Sequence, residues 1–284
     1  MITADIEKSF KARLRNAAKE MNRRPDDLWQ SLILERFLVR LARSRHCNNF
    51  VLKGGVLLAK YLFLGRETKD LDFLALSFTN NAESIRSAFA EIAALEVGDG
   101  FLFNEVDTSV LEHPHMAYAG IEVKMTTYYG QTRFRLAIDI GFGDTVHPKV
   151  KRLDLMRYSK GAFFEEHVSL LCYPQEFIFA EKLETVIYRG GDNSRMKDFH
   201  DLYNMIHARE LLPLQSMKGV MTTVFHHRGT PFACPIVFED IQLNTLQAMW
   251  NRYLQGIRKE DRQHLPLEIK QLLAVLNTWL AQVV

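Results

Sequence analysis

The chain has 284 residues, 47% apolar and 25% charged, enough for one large core or two modest ones in an ordinary globular protein. Its formal net charge of +2 excludes a globally basic nucleic-acid-binding chain, so any basic surface must be local. No apolar run approaches the roughly 20 residues of a membrane helix, the charged N-terminus lacks a signal-peptide core, and Cys47, Cys172 and Cys234 have no metal-type spacing; these features predict a cytoplasmic protein with free thiols and no membrane partner.

Residues 4–19 and 25–45 carry helical spacing. In the second stretch Leu28, Leu32, Leu34, Phe37, Leu38 and Leu41 keep an apolar stripe. Asp26 and Asp27 fall in its first turn, where the helix dipole favours acids. Short strands and helices then alternate: strand 50–52, helix 55–63, strand 70–76, helix 83–95, and strand-like runs over 101–112, 120–128 and 133–140. From Pro174 onward the pattern is almost entirely helical, over 174–188, 195–208 and two or three further segments after Ile236. The fold class read from this order is α/β (α+β), with N-terminal helices, a mixed central sheet and a helical C-terminal half. The expected division is 1–165 and 166–284.

The strongest chemical feature is Lys53-Gly54-Gly55, one helix, then Asp70-Leu71-Asp72-Phe73. Strand side chains alternate, so Asp70 and Asp72 share one face while Leu71 and Phe73 point into the core. Two carboxylates side by side repel; a divalent cation removes the repulsion, and oxygen ligands suit Mg²⁺. Gly54 and Gly55 lie where a strand gives way to a helix. Without side chains there, a phosphate can approach backbone N–H groups at the positive helix end. A phosphate cradle followed by a metal-binding pair is what phosphoryl transfer from an NTP requires. The plainer reading is a Gly-Gly turn with two solvated aspartates.

Four more positions join this set. Asp139 is the single acid near the end of an apolar strand, where Phe134, Leu136, Ile138 and Ile140 share the other face. It suits a third metal ligand or a base for the acceptor hydroxyl, against the plainer pairing with Arg135. Asp144 is a weaker competitor, in a turn marked by Gly141 and Gly143. Lys182 falls within the stripe of Phe179, Leu183, Val186 and Ile187, where a lysine needs a partner; triphosphate oxygens or one of the acids qualify. The alternative is a lysine snorkelling beside Glu181 or Glu184. Asp198 lies at the edge of the next helix's core stripe, with Arg195 at the helix start in reach of a phosphate. Asp201 and Lys197 read as an outward i,i+4 pair. The runs His113-Pro114-His115 and His226-His227 lack zinc spacing and read as loop or surface. Gly190-Gly191 and Gly98-Asp99-Gly100 read as helix stops and turns.

Three ordered motifs, Leu52-Lys53-Gly54-Gly55 to Asp70-Leu71-Asp72-Phe73, Tyr173-Pro174-Gln175-Glu176 to Glu181-Lys182-Leu183-Glu184, and Ser194-Arg195-Met196-Lys197-Asp198-Phe199-His200-Asp201-Leu202, resemble the AbiEii family of nucleotidyltransferase toxins in the DNA polymerase β-like superfamily. The resemblance runs from about Phe50 to Tyr203. It implies a minimal nucleotidyltransferase core with Asp70 and Asp72 on Mg²⁺, Lys182 on the nucleotide phosphates and Asp198 in the active site. It further implies a toxin with an antitoxin encoded nearby, and an acceptor at the 3′ end of tRNA. Many superfamily members carry Gly-Ser where this chain has Gly54-Gly55, so here the backbone must meet the phosphate without a hydroxyl. An RNA acceptor predicts a basic surface, for which Lys149, Lys151, Arg152, Arg157 and Lys160 are candidates. The rivals are transfer to a small molecule such as an antibiotic, transfer to a protein, and a binding protein that has lost catalysis. A small-molecule acceptor predicts a closed acidic or aromatic pocket. A dead enzyme predicts loss of an acid, yet all are present.

Overall fold

The computed structural model describes residues 2–111, 119–144 and 146–284, with the side chain of 209 left aside. The His113-Pro114-His115 run and Glu112 lie outside the described residues. The chain divides into two compact units. One holds the chain up to Lys60 together with Glu67–Tyr173, the other Tyr61–Arg66 together with Pro174–Val284.

In the first unit, α1 (Ala4–Glu20) starts at Thr3, whose side chain accepts a hydrogen bond from the Ile6 N–H, one of the donors a helix start leaves unpaired. Helix α2 (Pro25–Arg43) opens on Pro25 with Asp26 and Asp27 in its first turn. Then come β1 (Phe50–Lys53), α3 (Gly54–Tyr61), β2 (Leu71–Ala75), α4 (Ala82–Ala93), β3 (Phe101–Leu111), β4 (Gly120–Tyr129), β5 (Thr132–Gly141), β6 (Lys149–Asp154), the two-residue strands β7 (Arg157–Tyr158) and β8 (Gly161–Ala162), and β9 (His167–Cys172). Seven of these form one mixed sheet in the order β3-β4-β5-β2-β1-β9-β6, and β7 pairs with β8. Helices α2 and α4 pack on the sheet. There Phe37, Phe50, Phe73 and Phe89 are all fully buried, with Phe50 and Phe89 centroids 4.9 Å apart in an edge contact. The turn read at Gly98-Asp99-Gly100 also serves as an anchor: buried Asp99 accepts from Arg36 at 2.7 Å and from Arg40 at 2.7 and 2.8 Å. With Glu165 also paired to Arg36, the two acids neutralise two arginines of α2 inside the unit.

Strands β6 and β9 occupy a stretch where sequence reasoning predicts none. In β6 only Leu153 is buried, because the strand forms a sheet edge, so no apolar alternation marks it. In β9, Val168, Leu170 and Cys172 do alternate inward, a signal that sequence reasoning missed. The sheet-bearing unit accordingly runs on to Tyr173.

The second unit is helical: α5 (Gln175–Arg189), α6 (Met196–His207), α7 (Leu214–Arg228), α8 (Asp240–Gln255) and α9 (Ile269–Leu280). Gly190 takes φ +55° at the α5 stop, as its position predicts. His226 and His227 lie in the last turn of α7. Phe179, Phe199, Leu202 and Trp250 are fully buried, and Phe179 meets Trp279 at 4.6 Å. The segment Tyr61–Arg66 is seated tightly here, since a Cβ on Gly65 would stand 2.9 Å from the Asp261 carbonyl oxygen. The three cysteines are free. Among the described residues no helix is long and apolar enough to cross a membrane.

Candidate active site

Strand β1 ends at Lys53, and Gly54 turns the chain into α3 with φ +68°, a conformation that side chains resist. Space imposes the same choice: a Cβ on Gly54 would come within 1.8 Å of Asp72 Oδ2. The backbone of Gly54 therefore lies directly against the Asp72 carboxylate. Gly55 follows in the first turn of α3.

Strand register completes the row. The antiparallel β1–β2 ladder sets Lys53 opposite Asp72, and the parallel β2–β5 ladder sets Asp72 beside Asp139. Lys53, Asp72 and Asp139 thus stand abreast on three neighbouring strands, while Leu71 and Phe73, both fully buried, hold β2 from the opposite face. The next strand continues the row with Glu122 opposite Asp139. Sequence reasoning missed Glu122 because an acid between Ile121 and Val123 looks like any solvent-face strand residue. It pairs with Lys124 at 2.6 Å and accepts from Ser109 at 3.2 Å. Asp70 falls one residue before β2, so the ladder does not fix its alternation with Asp72.

Adjacent carboxylates across a sheet repel. Among the described residues, no three His, Cys, Asp or Glu side chains gather into a group able to hold a metal by themselves. The donor set fits a hard divalent cation that takes one or two carboxylates and completes its shell with phosphate and water. Asp144 lies just beyond β5, past Gly143 with φ +88°, in the turn its glycines predict. Its side chain returns to the row: Lys53 Nζ donates to Asp144 Oδ2 at 2.9 Å.

In the helical unit, α5 presents Lys182, and α6 presents Asp198 and Asp201. Lys182 Nζ lies 2.8 Å from Asp198 Oδ1 and 2.8 Å from Asp201 Oδ2. Arg195 Nε donates to Asp198 Oδ2 at 2.8 Å. Arg66 grips Asp201 with two bonds, of 2.9 and 2.6 Å. Burial disfavours the charged form of Lys182, but Asp201 and Asp198 outweigh it and raise the ammonium pKa above the usual lysine value. Burial likewise opposes ionisation of both acids. Lys182 and Arg195 nonetheless hold Asp198 below the carboxylate range, and Lys182 and Arg66 do the same for Asp201. His200 Nδ1 meets the Tyr253 hydroxyl at 2.8 Å, and burial pushes its pKa down to about 4.

One alternative is set aside here and one local expectation is corrected. Lys182 does not snorkel beside Glu181 and Glu184, which instead meet Arg228 at 3.2 and 2.9 Å. Asp201 is not an outward partner of Lys197: it is fully buried and is held by Arg66, a residue 135 positions away, which no local spacing could reveal. Of the predicted site residues, the structure brings Lys53, Gly54, Asp72 and Asp139 together in the sheet unit, and Lys182, Arg195 and Asp198 together in the helical unit.

The sequence matches a family profile described as nucleotidyl transferase AbiEii toxin, type IV TA system, over residues 36–275. No curated protein matches. Among solved structures, MenT4, a nucleotidyltransferase toxin from Mycobacterium tuberculosis H37Rv, is 16% identical with a TM-score of 0.57, over 96% of this chain and 89% of that one. JHP933 from Helicobacter pylori is 15% identical with a TM-score of 0.51, over 91% of each chain. At such identities the likeness is one of fold. The toxin of a two-component system implies an antitoxin partner. The chain belongs to the AbiEii family of type IV toxin–antitoxin nucleotidyltransferases, and is an enzyme of that class.

Proposed function

We propose that this enzyme is a cytoplasmic, Mg²⁺-dependent toxin that moves a nucleoside monophosphate from an NTP to the 3′ end of tRNA. The observation that carries the reading is the row of Lys53, Asp72 and Asp139 on adjacent strands, with the Gly54 backbone against Asp72.

Asp72 and Asp139, with Asp70 two positions before Asp72, are the residues that would hold Mg²⁺. When bound, the ion supplies charge neutralisation for the triphosphate and the developing oxyanion. Gly54 and Gly55 offer backbone at the strand-to-helix turn, and Lys53 brings an ammonium to phosphate oxygens. Lys182, Arg195 and Asp198 are assigned to the same reaction on the strength of the family motifs. The acceptor's 3′ oxygen attacks the α-phosphorus, the bond to the β-phosphate oxygen breaks, and pyrophosphate leaves. The hydroxyl proton passes to a carboxylate oxygen of the acidic row.

The tRNA acceptor is supported by the basic edge of the sheet unit. Lys149, Lys151 and Arg152 are exposed on β6, and Arg157 and Lys160 are exposed nearby in sequence. A phosphate backbone is attracted to such a strip. Sequencing of tRNA 3′ ends from expressing cells tests the reading. Added nucleotides together with growth arrest support it. Unmodified ends, with label on a small molecule such as an antibiotic, overturn the tRNA assignment.

A further inference from the structure

We propose that Asp144 is a positioning residue for nucleotide binding: its carboxylate holds the Lys53 ammonium beside the Gly54–Gly55 cradle. This rests on the reading of Lys53 as a phosphate ligand. Asp144 comes from the turn after β5, the strand that carries Asp139, so one segment supplies both an acid of the row and the anchor for its lysine.

The geometry is specific. Lys53 Nζ lies 2.9 Å from Asp144 Oδ2, and the two side chains are only 16% and 6% exposed. The same ammonium lies 4.9 Å from the Tyr173 ring centroid, within cation–π range. Tyr173 is itself fixed, because its N–H donates to the Leu52 carbonyl at 2.9 Å. A lysine stem carries about 2 kcal/mol of rotamer entropy. With its head held between a largely buried carboxylate and an aromatic face, that freedom is lost before the nucleotide arrives. Binding then costs less ordering, which is the physical content of preorganisation. An exposed aspartate in a Gly-marked turn would have no such effect; here the side chain turns inward, and its partner is the residue immediately before the glycine cradle.

Asp144 therefore acts through Lys53, and a double-mutant cycle isolates this. NTP binding and transfer are measured for wild type, Asp144→Ala, Asp144→Asn, Lys53→Ala and the Asp144/Lys53 double alanine variant, each with its melting temperature. Loss of Asp144 raises the KM for NTP roughly tenfold, about 1.4 kcal/mol of binding, with a smaller change in kcat. The double variant is no worse than Lys53→Ala alone, and Asp144→Asn, whose amide oxygen still accepts from Lys53, recovers part of the loss. Additive losses, or an unchanged KM in folded Asp144→Ala, overturn the positioning role. If wild type itself neither binds nor transfers any NTP, the nucleotide reading falls and this proposal with it.

Discussion

A Cβ atom on Gly54 would lie 1.8 Å from Oδ2 of Asp72. Asp72 Cγ and Cβ would follow at 2.5 and 2.8 Å, so Gly54→Ala must shift the stem of Asp72 as well as its carboxylate. The left-handed backbone costs about 1–3 kcal/mol, while the displaced carboxylate removes the proposed metal ligand. Gly54→Ala is expected to lower the melting temperature and to lose nucleotidyl transfer. Activity beside thermal unfolding checks this, and a folded variant with normal activity would remove Asp72 from the site.

Lys182 links Asp198 and Asp201 in the helical unit. Lys182→Ala leaves two buried carboxylates to Arg195 and Arg66 alone. Breaking a buried pair of this kind costs about 3–5 kcal/mol. Both melting temperature and transfer should fall. Unchanged melting with unchanged kinetics would contradict the buried cluster.

Much of this was legible beforehand, and the limits have a common physical cause. The Gly54-Gly55 turn, the strand that carries Asp72 and the position of Lys182 each carry a local signal: a turn residue, a period of two, or a charge inside an apolar stripe. Asp201 and Glu122 carry none, since their neighbours Arg66 and Asp139 are distant in the chain; Asp144 carries only the mark of its turn glycines, and its bond to Lys53 spans most of the sheet unit's sequence. The edge strand β6 was hidden because a single buried side chain leaves no alternation to read. Asp99 looked like a turn residue because its two arginines sit on a helix far earlier in sequence.

His200 gives the fold a pH dependence. Burial lowers its pKa from 6.5 to about 4, against the pull of Asp201 and alongside Arg66, His264 and Lys182. Between these values the unfolded chain binds the proton and the folded chain does not. Stability is therefore full above about pH 6.5 and declines as pH falls toward 4, by about 3 kcal/mol in total. Melting curves from pH 7 to pH 4.5 should show a smaller decline for His200→Gln than for wild type. Parallel curves would show that His200 is not the group responsible.

The basic edge predicts a salt signature. Replacing Lys149, Lys151 and Arg157 with alanine should weaken tRNA binding and reduce its dependence on salt by about one unit of slope per lost phosphate contact. The KM for NTP should stay near wild type. Filter binding across a salt series checks this, and an unchanged slope would move the RNA surface elsewhere.

The central claim is metal-dependent transfer of a nucleoside monophosphate by the row of Lys53, Asp72 and Asp139. The most direct measurement incubates the purified enzyme with each α-labelled NTP and total RNA, with Mg²⁺ or with a chelator, beside Asp72→Asn and Asp139→Asn. The account predicts labelled tRNA from wild type with Mg²⁺, and none with chelator or from either folded variant. Label transferred equally well by Asp72→Asn, or undiminished by the chelator, would contradict it.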